Sequence, residues 1–359
     1  MQEREIKLMG KMMDAFGPSG FEREINRIVK KEMEPIVDEI ITDKLGSVAF
    51  QLNGDGPKVL LAGHTDEIGF IISSITKEGF LTFNQLGGWW DQVLLAQKVI
   101  IRGTKGDVVG IIASKPPHII PMEELKKVVV KKNMYIDIGV SSKKEVEEAG
   151  IRVGDPVVPW SPFQKLHEDK VAMGKAFDDR IGAFVIMEAM RRIKEQNIPH
   201  PNVIIGAATV QEEVGLRGAQ TIAQTVNPDV SIVLEVDIAG DVPGIKPNEA
   251  ATKMGCGPGM ITYDRSMIPN QGLKELVFET ANQVQIPLQL SQMAGGGTDA
   301  GRIHVNNSGC PSVVLTVPTR HIHSHIGLLS LKDTENMIRL IVELLKKLDW
   351  DTVNSFTEL

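Results

Sequence analysis

Apolar residues recur at helical spacing near the amino end of the chain. Ile6, Met9 and Met13 form one run, Ile25, Ile28 and Val29 the next, and FGPSG separates them. Residues three or four apart share a helix face, so the pattern predicts helices over 2–15 and 20–34 joined by a tight turn. Two strand-like segments, IVDEIITD and SVAFQL, follow, and a Gly-Asp-Gly-Pro turn leads into the apolar run KVLLAGH. Between about 74 and 165 the character changes to short β-branched segments (KVIIRG, VVGIIAS, NMYIDIGV, DPVVPW) set among Gly and Pro, with a short helix over 143–149. This pattern predicts a small β-barrel or sandwich. From about 166, helices at 180–195, 218–226 and 271–284 precede the strands NVIIGAATV, VSIVLEVD and PLQLSQ, and PSVVLTVP leads to a terminal helix at 330–348. Strands alternating with helices imply an α/β fold with a mostly parallel sheet covered on both faces. The expected organisation is one discontinuous α/β domain, 1–73 and 166–359, interrupted by a β-rich insertion at 74–165.

Composition narrows the functional classes. The 359 residues suffice for a large core and two or three domains, and 42% hydrophobic with 24% charged content is that of a soluble globular protein. No apolar run approaches the roughly 18 residues of a membrane span. The amino-terminal stretch MQEREIKLMGKMMDAF is charged and amphipathic, unlike a secretory signal. Two cysteines, Cys256 and Cys310, are too few for a disulfide framework and suggest a reducing, cytoplasmic setting. A net charge of −7 gives no electrostatic reason to expect nucleic acid or an anionic membrane as partner.

Candidate chemistry gathers at the carboxyl ends of the expected strands, where open α/β sheets bind ligands. His64 and Asp66 follow KVLLAG, Glu212 and Glu213 follow NVIIGAATVQ, and Glu235 and Asp237 close VSIVLEVD. His321, His323 and His325 follow PSVVLTVPTR, and Asp178 and Asp179 of FDDR stand just before a helix. Singly, each has an ordinary reading as a hydrogen-bonded pair, a solvated turn or a helix cap. Together, so many carboxylates at one sheet edge would repel one another and take up protons unless a cation neutralised them. Oxygen and imidazole donors without thiolate suit zinc, with cobalt or manganese as alternatives. The number of donors suits two ions about 3.5 to 4 Å apart that share a carboxylate and a water. Positions 64 and 66 point the same way on a strand, so Asp66 is expected to accept the second N–H of His64. The glycine-rich QMAGGGTDAGRIH lacks the lysine of a P-loop and the spacing of a dinucleotide fingerprint.

The set GHTDEIGF, KAFDDRIGA, TVQEEVGLRGA, LEVDIAGD, GGGTDAGRIH and PTRHIHS resembles the dinuclear metallo-aminopeptidases of the tetrahedral (TET) type, in order and over nearly the whole chain. That family includes glutamyl, leucyl, lysyl and deblocking aminopeptidases, with some members labelled cellulases. The resemblance implies a zinc-exopeptidase-like fold and two divalent ions per subunit. It implies that His64 binds one metal, that Asp178 bridges both, that Glu213 and Asp237 complete one site each, and that His323 is the remaining imidazole. Asp66 would orient His64, Glu212 would be the catalytic base, and the Asp178–Asp179 peptide would be cis. Thr298 and Asp299 would stand at the pocket wall, with Asp299 toward the free amino group of the substrate. Substrates would be small peptides with a free amino terminus. The insertion would pair subunits into dimers, and the dimers would close into a tetrahedral dodecamer. Alternatives are another two-metal amidohydrolase, such as an N-acyl amino acid deacylase, and a non-catalytic metal-dependent assembly protein. The preferred terminal residue is left open, because acidic, basic and neutral specificities share these motifs.

Overall fold

Four strands that stay apolar almost to their last residues lie side by side and parallel, in the order Val203–Thr209, Lys58–His64, Val230–Ile238 and Ser312–Arg320. The computed structural model describes residues 1–358. Near-continuous runs such as VLLAG are explained by cover on both faces. Val59 and Leu61 pack with the helices Glu3–Asp14, Arg23–Met33, Phe177–Glu195, Gln271–Gln283 and Leu331–Leu345, while Leu60 and Ala62 pack with Arg217–Val226 and Ala300–Ile303. Antiparallel strands extend the parallel centre. Val48–Leu52 and Glu39–Thr42 lie on one side, and Gly327–Ser330, Val171–Gly174 and Gln164–Leu166 on the other. Gly259–Asp264 also pairs antiparallel with Ser312–Arg320 and carries Gln289–Met293 parallel to itself. The resulting 11-stranded sheet is mixed, with its parallel part at the centre. Among the described residues no helix is long and apolar enough to cross a membrane.

Six further strands close into a barrel: Gly69–Ile75, Leu81–Leu86, Tyr135–Asp137, Gly106–Ala113, Lys98–Gly103 and Pro156–Pro159. The barrel has its own core, including Phe70, Phe83, Trp89, Ile101 and Ile136. It begins at Gly69, before the expected start at 74, and Gln164–Leu166 already belongs to the large sheet. Polar residues at 64–67 interrupt the apolar run, and TDEI at 65–68 carries the chain from one sheet to the other. Trp89 is buried, stacks on Phe70 at 4.7 Å and donates its indole N–H to the Gly69 carbonyl, whereas Trp90 is 62% exposed.

Behind this crossing lies a buried charge cluster. The fully buried Arg180 donates to the carbonyls of Thr65, Met12, Met13, Ala15 and Gly17, and to Glu67 Oε1 at 3.0 Å. Glu67 Oε1 also accepts from Lys175 Nζ at 2.6 Å. One guanidinium thus ties the end of the first helix to the exit of a central strand. Burial pushes the Lys175 amine down to about 8, against the pull of Glu67. Removing one partner of such a cluster strands the others, at a cost of about 3–5 kcal/mol. Arg180→Leu is expected to lower unfolding stability by about that amount in denaturant titration. A loss below about 1 kcal/mol would show that the carbonyls find other donors.

Candidate metal centre

The register of the parallel strands brings the polar residues to one edge. Thr209 pairs with His64, and Val233 pairs with Ala62, which sets Glu235 level with His64. His64 Nε2 lies 3.2 Å from Asp178 Oδ1, 3.8 Å from Glu212 Oε2 and 3.9 Å from Glu235 Oε1. His323 Nε2 lies 3.4 Å from Asp178 Oδ2 and 4.0 Å from Glu213 Oε1. Asp178 therefore offers one carboxylate oxygen to each imidazole. Two ligand groups share it, His64–Asp178–Glu235 and Asp178–Glu213–His323, and within each group the donor atoms lie within 4.8 Å of one another.

Local backbone geometry separates adjacent acidic residues. Asp178 and Asp179 depart from helical dihedrals at the start of Phe177–Glu195, and the peptide between them is cis. Asp178 faces the imidazoles, while Asp179 turns inward to accept from the backbone N–H groups of His64 and Gly182. Glu212 and Glu213 diverge in the same way after Gln211, whose φ is +54°. Glu213 joins His323 and Glu212 remains beside His64.

The donor set fits divalent cations. Burial, then the repulsion of neighbouring carboxylates, pushes Glu213 and Glu235 well above the usual range, and Glu212 likewise despite the pull of His64. Burial works against ionisation of Asp178 as well, but hydrogen bonding to His64 and the charge of His323 hold its carboxyl low. Glu213 Oε1 is a buried acceptor with no protein partner. One imidazole with carboxylate oxygens around a shared carboxylate is a donor set that zinc, cobalt or manganese accepts.

Asp237 stands outside both groups, contrary to the expectation that it completes one. It lies two residues beyond Glu235, a displacement of about 6.6 Å along a strand. Its Oδ1 accepts the Ile238 N–H at 2.8 Å, and burial raises its carboxyl above the usual range. Glu235 takes the place. Asp66 also differs from expectation. His64 Nδ1 meets the Asp66 carbonyl oxygen at 3.0 Å, with the nearest carboxylate oxygen at 3.5 Å. The carboxylate instead accepts from Glu212 N, Glu213 N and Ser19 Oγ. Burial opposes ionisation of Asp66, yet these bonds and His64 hold its carboxyl below the usual range.

The three histidines do not share a face, because positive φ at His321 (63°) and His323 (54°) breaks the extended alternation. Only His323 is brought to Asp178. His325 is buried with its ring 5.1 Å from Trp89, and burial pushes its imidazole down to about 4. Thr298 is fully buried and donates to Asp264, so its side chain lies inside the fold and not on a pocket wall. Asp299 accepts from Thr209 Oγ1, and burial raises its carboxyl to about 6.

One contributor was not foreseen. Gly88 follows a barrel strand, and its carbonyl lies 2.8 Å from His323 Nδ1, while a Cβ on the preceding Gly87 would stand 2.8 Å from Glu213 Oε2. A Cβ on Gly88 would stand 3.1 Å from His323 Nδ1. A backbone contact of this kind has no side-chain signature; the Gly-Gly pair in GGWWDQ was its only trace.

Two measurements follow from this geometry. By elemental analysis, Glu235→Ala is expected to bind less zinc per chain than the unaltered protein, and Asp237→Ala as much. Zinc titration of Gly88→Ala is expected to show a roughly 10- to 100-fold weaker site, the usual cost of disturbing a group that holds a ligand in place. Unchanged affinity would show that His323 is oriented without the barrel.

The family model described as M42 glutamyl aminopeptidase matches residues 46–340. A lysyl aminopeptidase of Pyrococcus furiosus is 34% identical over 351 residues, spanning 95% of this chain and 97% of its own length. Among solved structures, a TET aminopeptidase from the marine sediment archaeon Thaumarchaeota archaeon SCGC AB-539-E09 is 68% identical, with a TM-score of 0.98 and 99% of each chain covered. The TET1 peptidase of Pyrococcus horikoshii, which can assemble into a tetrahedron or a large octahedral shell, is 30% identical with a TM-score of 0.84, over 96% of this chain and 100% of that one. With the whole α/β–barrel arrangement and the clustered ligand groups in agreement, the chain belongs to the M42 family of metal-dependent aminopeptidases, which are peptide hydrolases.

Proposed function

We propose that this chain removes amino-terminal residues from small peptides with two divalent ions, held by His64, Asp178 and Glu235 on one side and by Asp178, Glu213 and His323 on the other. The observation that carries this reading is the Asp178 carboxylate, one oxygen of which faces each imidazole. Two bound ions, zinc or alternatively cobalt or manganese, would supply a water of lowered pKa and an electrophile for the peptide carbonyl.

Glu212 does the proton work. It belongs to neither ligand group yet lies within 3.8 Å of His64 Nε2. Its carboxylate takes a proton from the attacking water and delivers it to the leaving amine. Asp66 holds the amides of both glutamates and, through its carbonyl, orients His64. Asp299 lies near enough for its charge to raise Glu212, and this supports its attracting the free amino group of the substrate. A scaffold without catalysis has no use for a carboxyl in the position of Glu212.

Assembly through the barrel into dimers, and then into a tetrahedral dodecamer, is supported by the apolar groups that the barrel exposes. Val109, Ile111, Ile119, Met122, Leu125 and Val128 are all at least 41% exposed, a concentration typical of contact surfaces. Both cysteines are free, in keeping with a reducing cytoplasm.

Glu212→Gln is expected to keep its zinc and lose roughly 10²- to 10⁴-fold in turnover. Loss of zinc instead would reverse the roles of the two glutamates. Aminoacyl chromogenic substrates should be cleaved and their N-acetylated counterparts spared, with activity abolished by chelator and restored by zinc or cobalt. Cleavage of the acetylated forms would favour a deacylase.

A further inference from the structure

The turn FGPSGFE at 16–22 does more than join two helices. Ser19 is buried and donates to Asp66 Oδ2 at 2.6 Å. Asp66 in turn accepts from Glu212 N at 3.0 Å through Oδ1 and from Glu213 N at 3.2 Å through Oδ2. Glu22, also buried, accepts from Gln211 N at 3.1 Å and from Gly20 N at 2.6 Å. Three successive backbone amides, 211 to 213, are thus each held by a carboxylate, and the amino-terminal turn supplies or braces both carboxylates. The first of these residues, Gln211, occupies the left-handed region at φ +54°, a conformation that a non-glycine side chain keeps only where its surroundings impose it. The turn itself is fixed from behind. The Gly17 carbonyl accepts from Glu67 N at 3.0 Å and from Arg180, and Pro18 bridges Glu67.

We infer that Ser19 and Glu22 are positioning residues that aim Glu212 at the reacting water, an inference that rests on the role of Glu212 given above. Neither belongs to the ligand groups. Their action runs through the backbone: Glu22 holds Gln211 in the left-handed conformation, and Ser19 holds Asp66 against the next two amides. Adjacent glutamates can serve different purposes only while this short segment keeps one shape. If it relaxes, Glu212 swings and the proton transfer loses its geometry, and misplacement by about 1 Å can cost on the order of 100-fold in rate.

The test uses the zinc-loaded full chain with an aminoacyl chromogenic substrate, measuring kcat, KM and zinc content together. Ser19→Ala and Glu22→Ala are each expected to lower kcat about 10- to 100-fold, with KM and zinc content unchanged. Glu22→Gln retains an acceptor oxygen and is expected to recover most of the lost kcat. Combined with Glu212→Gln, neither alanine variant should reduce turnover further, since residues acting through one group are not additive. Normal kcat in both alanine variants, zinc lost in step with kcat, a Glu22→Gln as impaired as Glu22→Ala, or a further loss in the Glu212→Gln background would each overturn the inference. A Glu212→Gln enzyme with full turnover would overturn the assigned base itself, which is a separate outcome.

Discussion

One carboxylate organises this molecule. Asp178 presents its two oxygens to two imidazoles, one at the end of Lys58–His64 and one in the loop after Ser312–Arg320, the two strands that flank Val230–Ile238. His64 is delivered by the end of one strand, Glu235 by its neighbour in register, and His323 by the loop after a third. Buried acidic groups at such density would otherwise be driven neutral, so the architecture is intelligible only with positive charge at its middle. The open sheet supplies the convergence, because strands that run parallel end at the same edge.

Much of this was legible in the chain. Helical spacing marked the amino-terminal helices, alternation of strands with helices marked the sheet, and β-branched runs among Gly and Pro marked the barrel. Clusters at strand ends marked the centre. What was not legible depended on register and on backbone. Glu235 and Asp237 lie on the same face of one strand, and only pairing with Ala62 through Val233 tells which of them is level with His64. The barrel begins at Gly69 and not near 74 because Gly69–Ile75 is as apolar as Lys58–His64, so composition does not tell which sheet it joins. Likewise the three histidines share a face only if the backbone is extended, and left-handed residues at 321 and 323 remove that premise.

Rigidity is concentrated on the side away from solvent. Arg180 binds five carbonyls and Glu67, and Lys175 joins the same carboxylate, so the chain's first helix and the exit of a central strand move as one body. Charge is normally expensive to bury. Here its partners are mostly backbone oxygens at element ends, which would be orphaned without a donor. The cluster therefore satisfies the crossing between sheets as well as stiffening it.

Through Gly88 the barrel is part of the centre, since its backbone carbonyl faces the His323 ring. A module that reaches back to touch a ligand of its host is not a removable ornament. The glycine pair facing His323 and Glu213 is bound to the centre by close approach. Without the insertion the His64–Asp178–Glu235 group would keep every residue, whereas His323 would lose the carbonyl that its Nδ1 faces.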